Sequence, residues 1–398
     1  MVEKLLDFVS PEEYIPFSPP DLDESEEREL VATLRSGWIT TGPRTQEFER
    51  RVAEYAGARY AVGVFSCTDA MHLALRILGA RTGDEVITTP FTFVSTAHAV
   101  RYCGAVPVLA DIDPETLCID PAEIEKRITP KTKGIIPVHY GGHACDMDPI
   151  LALAEAENLF VMEDAAHAIG TRYKDRPVGS LGHVTCFSFY ATKNLCTAEG
   201  GMALTDDEEM ANRMRRLAMY GISDAREVWQ ARYTKAGSIH YDVAELGYKC
   251  NMTDITAALG LVQLEKLENA IANREEFSRI YDQAFAEHPG VTIPTVRPWI
   301  RHSRHLYHIQ LNLGFLNINR DRFVDELKAL NIGTSVMFVP VHFFTYYAKL
   351  LGYKLGDFPV AESTFKRILS LPISPAIGRK RIEKAAEGVL YLLEKHKR

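Results

Sequence analysis

The sequence predicts an α/β protein: a large, doubly wound, mostly parallel sheet domain followed by a smaller α+β domain. Three observations carry that expectation. Between residues 60 and 205, seven short apolar runs recur with helix-like stretches between them: AVGVF (61–65), EVITT (85–89), PVLA (107–110), GIIPVH (134–139), LFVMED (159–164), VTCFSF (184–189) and GMALT (201–205). This is the rhythm of successive βα units. The runs are continuously apolar rather than alternating, as strands must be when helices cover both faces of their sheet. Finally, a chain of 398 residues with 46% hydrophobic side chains has material for two domains with large cores, which excludes disorder.

The elements follow in order. The acidic stretch DLDESEEREL (21–30) has helical spacing at Leu22, Leu30 and Leu34 and reads as a solvated helix face. After the βα region, a helical period begins at Thr253 or Asp254, with Ile255, Ala258, Leu259 and Val262 on one side, and stops at Pro289-Gly290. It predicts a long connecting helix, and the division is placed at residues 1–265 and 266–398. Beyond it, YHIQLNL (307–313), a helix near 321–330, SVMFV (335–339) and a last helix after Gly378 predict an α+β unit without regular crossovers.

Composition narrows the function classes. Forty-five basic against fifty-three acidic residues give a net charge of −8, which disfavours nucleic acid as a partner. No apolar run reaches the ~18 residues that span a bilayer, and MVEKLLDFVS is followed by acidic residues rather than a cleavage site, so a soluble, unprocessed chain is expected. Seven scattered cysteines without a C-x-x-C pair point to reduced thiols and a cytoplasmic location. His139, His143, Cys145 and Asp146 are separated by a glycine pair in a spacing that matches neither a zinc ribbon nor a helical H-x-x-x-H face, so no metal is expected. No dinucleotide, P-loop or G-x-S-x-G motif is present.

What remains is a set of chemical groups at strand ends. In VTCFSFYATKN (184–194) a strand ends at Ser188 and Tyr190, and Lys193 follows at the carboxyl edge, where ligands of open α/β sheets bind. A desolvated ammonium there has a lowered pKa and becomes a nucleophilic amine of the kind that forms Schiff bases. LFVMED places Asp164 at the same edge, where it can pair with Lys193, hold a proton on a ligand heterocycle, or cap a helix over 165–170. His167 comes three residues later on that presumed helix. In FSCTDAMHLALRILG (65–79) a strand runs into a helix whose first turn carries Ser66, Thr68 and Asp69, a start suited to an anion. Thr68, the Asp69 amide and Ser188 are the candidate cradle. Phe93, near a helix beginning at Ser95, is the ring placed to face a flat ligand.

Taken together, SGWITTGPRTQEFE (36–49), SCTDAMHLAL (66–75), TPFTFVSTAHA (89–99), VHYGGHACDMDPI (138–150), EDAAHAIGT (163–171), FSFYATKNLCTAEGGM (187–202) and GYKCNMTDITAALGLVQL (247–264) resemble the DegT/DnrJ/StrS family of sugar aminotransferases. The resemblance implies the aspartate-aminotransferase-like architecture (fold type I), pyridoxal 5′-phosphate as cofactor, and a homodimer. It makes Lys193 the internal aldimine and proton shuttle, and Asp164 the partner of the pyridine nitrogen. Thr68, the Asp69 backbone and Ser188 would hold the phosphate, Phe93 would stack on the ring, and His167 would lie near the ring hydroxyl. Asn251 would reach the phosphate of the neighbouring subunit's cofactor, and Thr40 and His342 are candidate substrate contacts. The implied reaction moves an amino group from glutamate to a ketone on a nucleotide-linked deoxysugar; the alternatives are a sugar dehydratase, an aminotransferase of a carbocyclic ketone, and a non-catalytic cofactor-binding regulatory protein. Lys193 stands where the family's dehydratase branch carries histidine, which favours transamination. Two departures stand out: Cys67 occupies the middle of the family's S-G-T motif, and Met337 occupies a place where many relatives have histidine.

Overall fold

The computed structural model describes residues 8–223, 228, 230–232, 234–236 and 240–398. Helix α1 (Glu24–Ser36) is the solvated helix the acidic stretch predicts, and it opens on a capping box between Asp23 and Glu26. After α2 (Pro43–Ala56) the chain lays down β1 (Tyr60–Val64), α3 (Cys67–Ile77), β2 (Glu85–Thr88), α4 (Ser95–Tyr102), β3 (Val106–Leu109), α5 (Pro121–Glu125), β4 (Thr132–Ile135), α6 (Met147–Ala156) and β5 (Phe160–Asp164). The short hairpin β6 (Arg172–Tyr173) and β7 (Arg176–Pro177) precedes β8 (Val184–Ser188), β9 (Gly201–Thr205) and α7 (Glu208–Ala218).

Seven of these strands form one sheet in the order β1-β9-β8-β5-β4-β2-β3. Only β9 runs against the rest, pairing antiparallel with both β1 and β8. The continuous apolar runs are explained by coverage of both faces. On β5, Phe160 and Met162 join the cluster under α3, α4 and α7, whereas Val161 joins the one under α2 and the long helix. Parallel pairing sets Asp164 opposite Cys186, so β5 and β8 deliver their last residues to the same edge.

The long helix α8 (Asp254–Phe285) is unbroken. Its first residue, Asp254, is fully buried and accepts bonds from the backbone amides of Gly42, Arg44 and Thr45 and from the Thr45 hydroxyl. That carboxylate ties the N-terminal segment to the start of the helix. Gly260 lies where a Cβ would meet the Phe48 ring at 2.5 Å, so a glycine in mid-helix lets α2 pack close. Beyond α8 come β10 (Val291–Thr292), β11 (Ile300–Arg301), β12 (Tyr307–Leu311), α9 (Arg320–Ala329), α10 (Thr345–Leu351), α11 (Pro359–Arg367), β13 (Ile368–Leu371) and α12 (Arg379–Lys395). Strands β10, β12 and β13 form an antiparallel sheet over its own core, and β11 returns to pair with β6 of the large unit.

Two sequence expectations are corrected. SVMFV does not form a strand: only Ser335 pairs, exchanging backbone bonds with Ser370, and the remaining residues are irregular. Residues 165–170 are not a helix either. The Ala168 amide bonds to Ala165 and the Thr171 amide to Ala168, giving successive turns that end at Gly170 with φ +83°.

Candidate active site

A cavity of about 290 Å³ opens at the carboxyl edge of the sheet. Its floor comes from the start of α3 (Ser66, Cys67, Thr68), and its sides from the ends of β5 and β8 (Asp164, His167, Ser188, Lys193). The segment after β2 contributes Thr92, Phe93 and Ser95, and the run after Ser335 closes it with Met337 and Phe338. Six of the residues singled out in the sequence thus meet in one space: Thr68, Phe93, Asp164, His167, Ser188 and Lys193.

Asp164 is 4% exposed. Its carboxylate accepts the Thr96 hydroxyl at 2.7 Å and the Ala166 amide at 3.2 Å. Burial pushes its pKa above the usual carboxylate range, against the lowering effect of those two bonds and of the Lys193 charge. Lys193 is half-buried, and burial lowers its pKa to about 8 although Cys67 and Asp164 pull it upward. Its amine therefore exchanges protons near neutrality. His167 accepts the Gly141 amide on Nδ1 at 3.2 Å, and burial together with the Lys193 charge holds its pKa well below the ordinary value. The ring is therefore neutral, with its proton on Nε2. It stacks on Phe338 with centroids 5.6 Å apart and an interplanar angle of 20°.

At the floor, Ser66 caps α3 by accepting the Asp69 amide at 3.1 Å and donates its hydroxyl to the Asp69 carboxylate at 2.7 Å. The amides of Cys67 and Thr68 stand in the first turn, where a helix supplies no internal acceptor. The Cys67 thiol donates towards the Cys186 carbonyl at 3.5 Å, so its side chain turns towards β8. Gly201, at the start of β9, would put a Cβ 2.2 Å from the Ser66 carbonyl carbon and 2.3 Å from the Cys67 nitrogen. Only glycine lets β9 abut the helix start this closely. Phe93 is 60% exposed at the mouth, its ring 6.1 Å from that of Phe338.

Four sequence-predicted residues lie outside the cavity lining. The Asp69 side chain is occupied with Ser66 as described. Asn251 donates to the Thr41 hydroxyl at 2.7 Å, accepts from Lys249, and bridges to Val64 on the outer side of β1. Thr40 accepts the Asp254 amide through its carbonyl at 3.1 Å. His342 is buried and hydrogen-bonded through Nε2 to Glu362 at 3.1 Å. The aromatic stretch 299–308 does not cover the cavity: Trp299 faces a separate cleft with Arg297 and Asp146, while His302, His305, Tyr307 and His308 are buried. Sequence reasoning missed Thr96, Gly141 and Phe338. Thr96 and Phe338 lay inside segments singled out for other reasons, but only the fold joins them to Asp164 and His167.

A model of the DegT/DnrJ/EryC1/StrS aminotransferase family matches residues 20–390. The chain belongs to this family. The spore coat polysaccharide biosynthesis protein SpsC of Bacillus subtilis is 48% identical over 377 residues, which span 94% of this chain and 96% of that protein. The putative sugar aminotransferase Spr1654 from Streptococcus pneumoniae, solved in its PLP-form, superposes with a TM-score of 0.88 at 36% identity, covering 96% of this chain and 99% of that one. Its PMP-form gives 0.88 at 35% identity. DesI, solved in the presence of its TDP-sugar product, gives 0.85 at 31% identity, with 97% of this chain and 94% of that one covered. The architecture is accordingly that of the fold type I aminotransferases, with β9 as the reversed strand of the large sheet.

Proposed function

We propose that this family member is a pyridoxal 5′-phosphate-dependent aminotransferase that moves an amino group from glutamate to a ketone of a nucleotide-linked deoxysugar. The observation that carries the reading is the meeting of an amine, Lys193, and a buried carboxylate, Asp164, in one cavity floored by a helix start. The lining fits the cofactor. An anion suits the first-turn amides of α3 and the hydroxyls of Thr68 and Ser188, in a floor that Gly201 keeps clear. A protonated ring nitrogen suits Asp164, and an aldehyde suits Lys193.

When bound, pyridoxal phosphate supplies a protonated ring that draws electrons from a substrate carbon and carries the amino group between two substrates. The residues do the rest. Asp164, oriented by Thr96 and Ala166, keeps the ring nitrogen protonated. Lys193 holds the cofactor at rest; when released, its Nζ takes the proton from the α-carbon of the donor and, in the return half, delivers one to the sugar carbon that receives nitrogen. Proton transfer by a positioned group contributes about 10²–10⁴-fold. His167 offers a neutral Nε2–H donor from the turn after β5. Phe93 and Phe338 supply aromatic faces at the mouth. The sugar-nucleotide class draws support from DesI, and a place in polysaccharide formation from SpsC.

The reading includes two copies of the chain. Phe65, Phe93 and Tyr190 expose large apolar surface near the cavity mouth, which a second subunit would cover. Asn251 then extends to the phosphate of the neighbouring cofactor. The larger and smaller units divide near residue 265, within α8.

The purified protein should turn yellow with pyridoxal phosphate, and borohydride should fix the cofactor on Lys193. Glutamate should bleach the colour and yield 2-oxoglutarate, and one of a panel of nucleotide 3-keto- and 4-keto-sugars should restore it. Lys193→Ala should lose both colour and turnover. A yellow, active Lys193→Ala protein would overturn the assignment.

A further inference from the structure

Behind the cavity lies a hydrogen-bond network that the mechanism above does not use. Asn194, the residue next to Lys193, is buried and donates its amide to the Ser303 carbonyl at 2.7 Å. The Asn194 side-chain oxygen faces His305 Nδ1 at 3.2 Å, so this nitrogen carries the histidine's proton and donates. The Ser303 hydroxyl donates to the His167 carbonyl at 3.2 Å. The His305 ring packs on that of His167 with centroids 4.3 Å apart. His305 and Ser303 enter from the segment leading into β12, and Arg274 of α8 donates to the carbonyls of His305 and Ile373 at 3.3 and 2.7 Å. His305 is 3% exposed, and its Nε2 meets no hydrogen-bond partner among the described residues.

A buried polar atom without a partner forfeits the hydrogen bonds it had in water, so its presence asks for a reason. One side chain of the other unit thus holds Asn194, the residue next to Lys193, and packs on the ring of His167, a residue of the cavity lining. We propose that His305 is a positioning residue of the active site, fixing the Lys193–Asn194 turn through Nδ1 and backing the His167 ring, so that the smaller unit sets where the reactive amine lies. The inference rests on Lys193 being that amine, but not on the identity of donor or acceptor substrate.

The test reads the amine itself. In the cofactor-free full-length protein, competitive acylation across pH followed by peptide mass spectrometry gives the titration midpoint of Lys193, which the wild type should show near 8. The groups acting on that amine are Asp164, Cys67, His167 and His305. His305→Leu removes the donor to Asn194, frees the turn and rehydrates the amine, so the midpoint should rise by about one pH unit. In the loaded enzyme kcat should fall about tenfold with little change in KM for glutamate, the expected signature of a misplaced group. His305→Asn places an amide donor where Nδ1 stood and should return the midpoint to the wild-type value and kcat to within about twofold of it. Asn194→Ala breaks the same bond from the other side and should reproduce the shift, which keeps the test open if His305→Leu fails to fold. A wild-type midpoint and kcat in His305→Leu and Asn194→Ala, or His305→Asn behaving no better than leucine, would overturn the proposal. A protein that binds no cofactor yet shows the midpoint shift would sink the functional reading and leave this one standing.

Discussion

Asp164 shows what a single residue carries in this site. It is buried, it accepts two hydrogen bonds, and its position opposite Cys186 is dictated by strand pairing rather than by a flexible loop. Replacing it with asparagine keeps the shape and removes the charge. On the proposed assignment Asp164→Asn should therefore retain the cofactor while kcat drops by at least about 10²-fold, because a neutral amide would not hold a ring nitrogen protonated. Absorbance of the dialysed protein and steady-state rates check the two halves separately, and wild-type turnover would contradict the role. Asp164 is legible in the chain because it ends a continuous apolar run and Lys193 because it follows another within a few residues, so strand, edge and functional group are all local signals. Thr96 and Asn194 were not legible. Their partners lie 68 and 111 residues away, and nothing in a neighbouring motif encodes a bond across that distance.

Among the elements, the seven strands of the large sheet and the long helix could be read from periodicity, because burial on both faces leaves an unmistakable apolar pattern. Segments whose conformation is set by a few tertiary bonds could not. SVMFV has the composition of a strand, yet its backbone pairs only at Ser335, and the Tyr140 hydroxyl captures the Met337 carbonyl at 2.6 Å. EDAAHAIG reads as a capped helix, but Asp164 is a strand residue and the chain turns back at Gly170. The contact between β9 and α3 is the element-scale feature with the sharpest consequence. In Gly201→Ala the new methyl meets main-chain atoms of Ser66 and Cys67 that no rotamer change can clear. It should destabilise the fold by about 2–4 kcal/mol and weaken phosphate binding by shifting the helix start. Urea midpoints and cofactor titration would register both; unchanged values would mean that β9 can slide away from α3 freely.

For the whole molecule, acid is the revealing perturbation. His167, His302, His305 and His308 are buried, and burial holds the first three well below the ordinary histidine value and lowers His308 to about 3. The unfolded chain takes up these protons near pH 6.5, whereas the folded chain does so only at much lower pH. The resulting stability is complete above about 6.5 and drains as pH falls towards the folded values, by about 1.4 kcal/mol per pH unit for each group. Melting temperature should therefore decline steeply between pH 6.5 and 5, above the range where Glu163 and Glu326, whose pKa values are lowered, begin to contribute. His308→Leu should flatten the decline by about one proton's worth, and a flat profile in that window would refute the account.

The run from Ser335 to Phe338 has one last implication. It reaches the cavity from the smaller unit and is fastened through its main chain, at Ser335 to Ser370 and at the Met337 carbonyl to Tyr140, so the side chain of Met337 is wall material while the Phe338 ring backs His167. The edge that bears Lys193 and Asp164 belongs to other elements. On the proposed reading, the width of the entrance can thus be altered at Met337 alone, a position open to redesign at the bench, whereas a change at Phe338 also reaches His167.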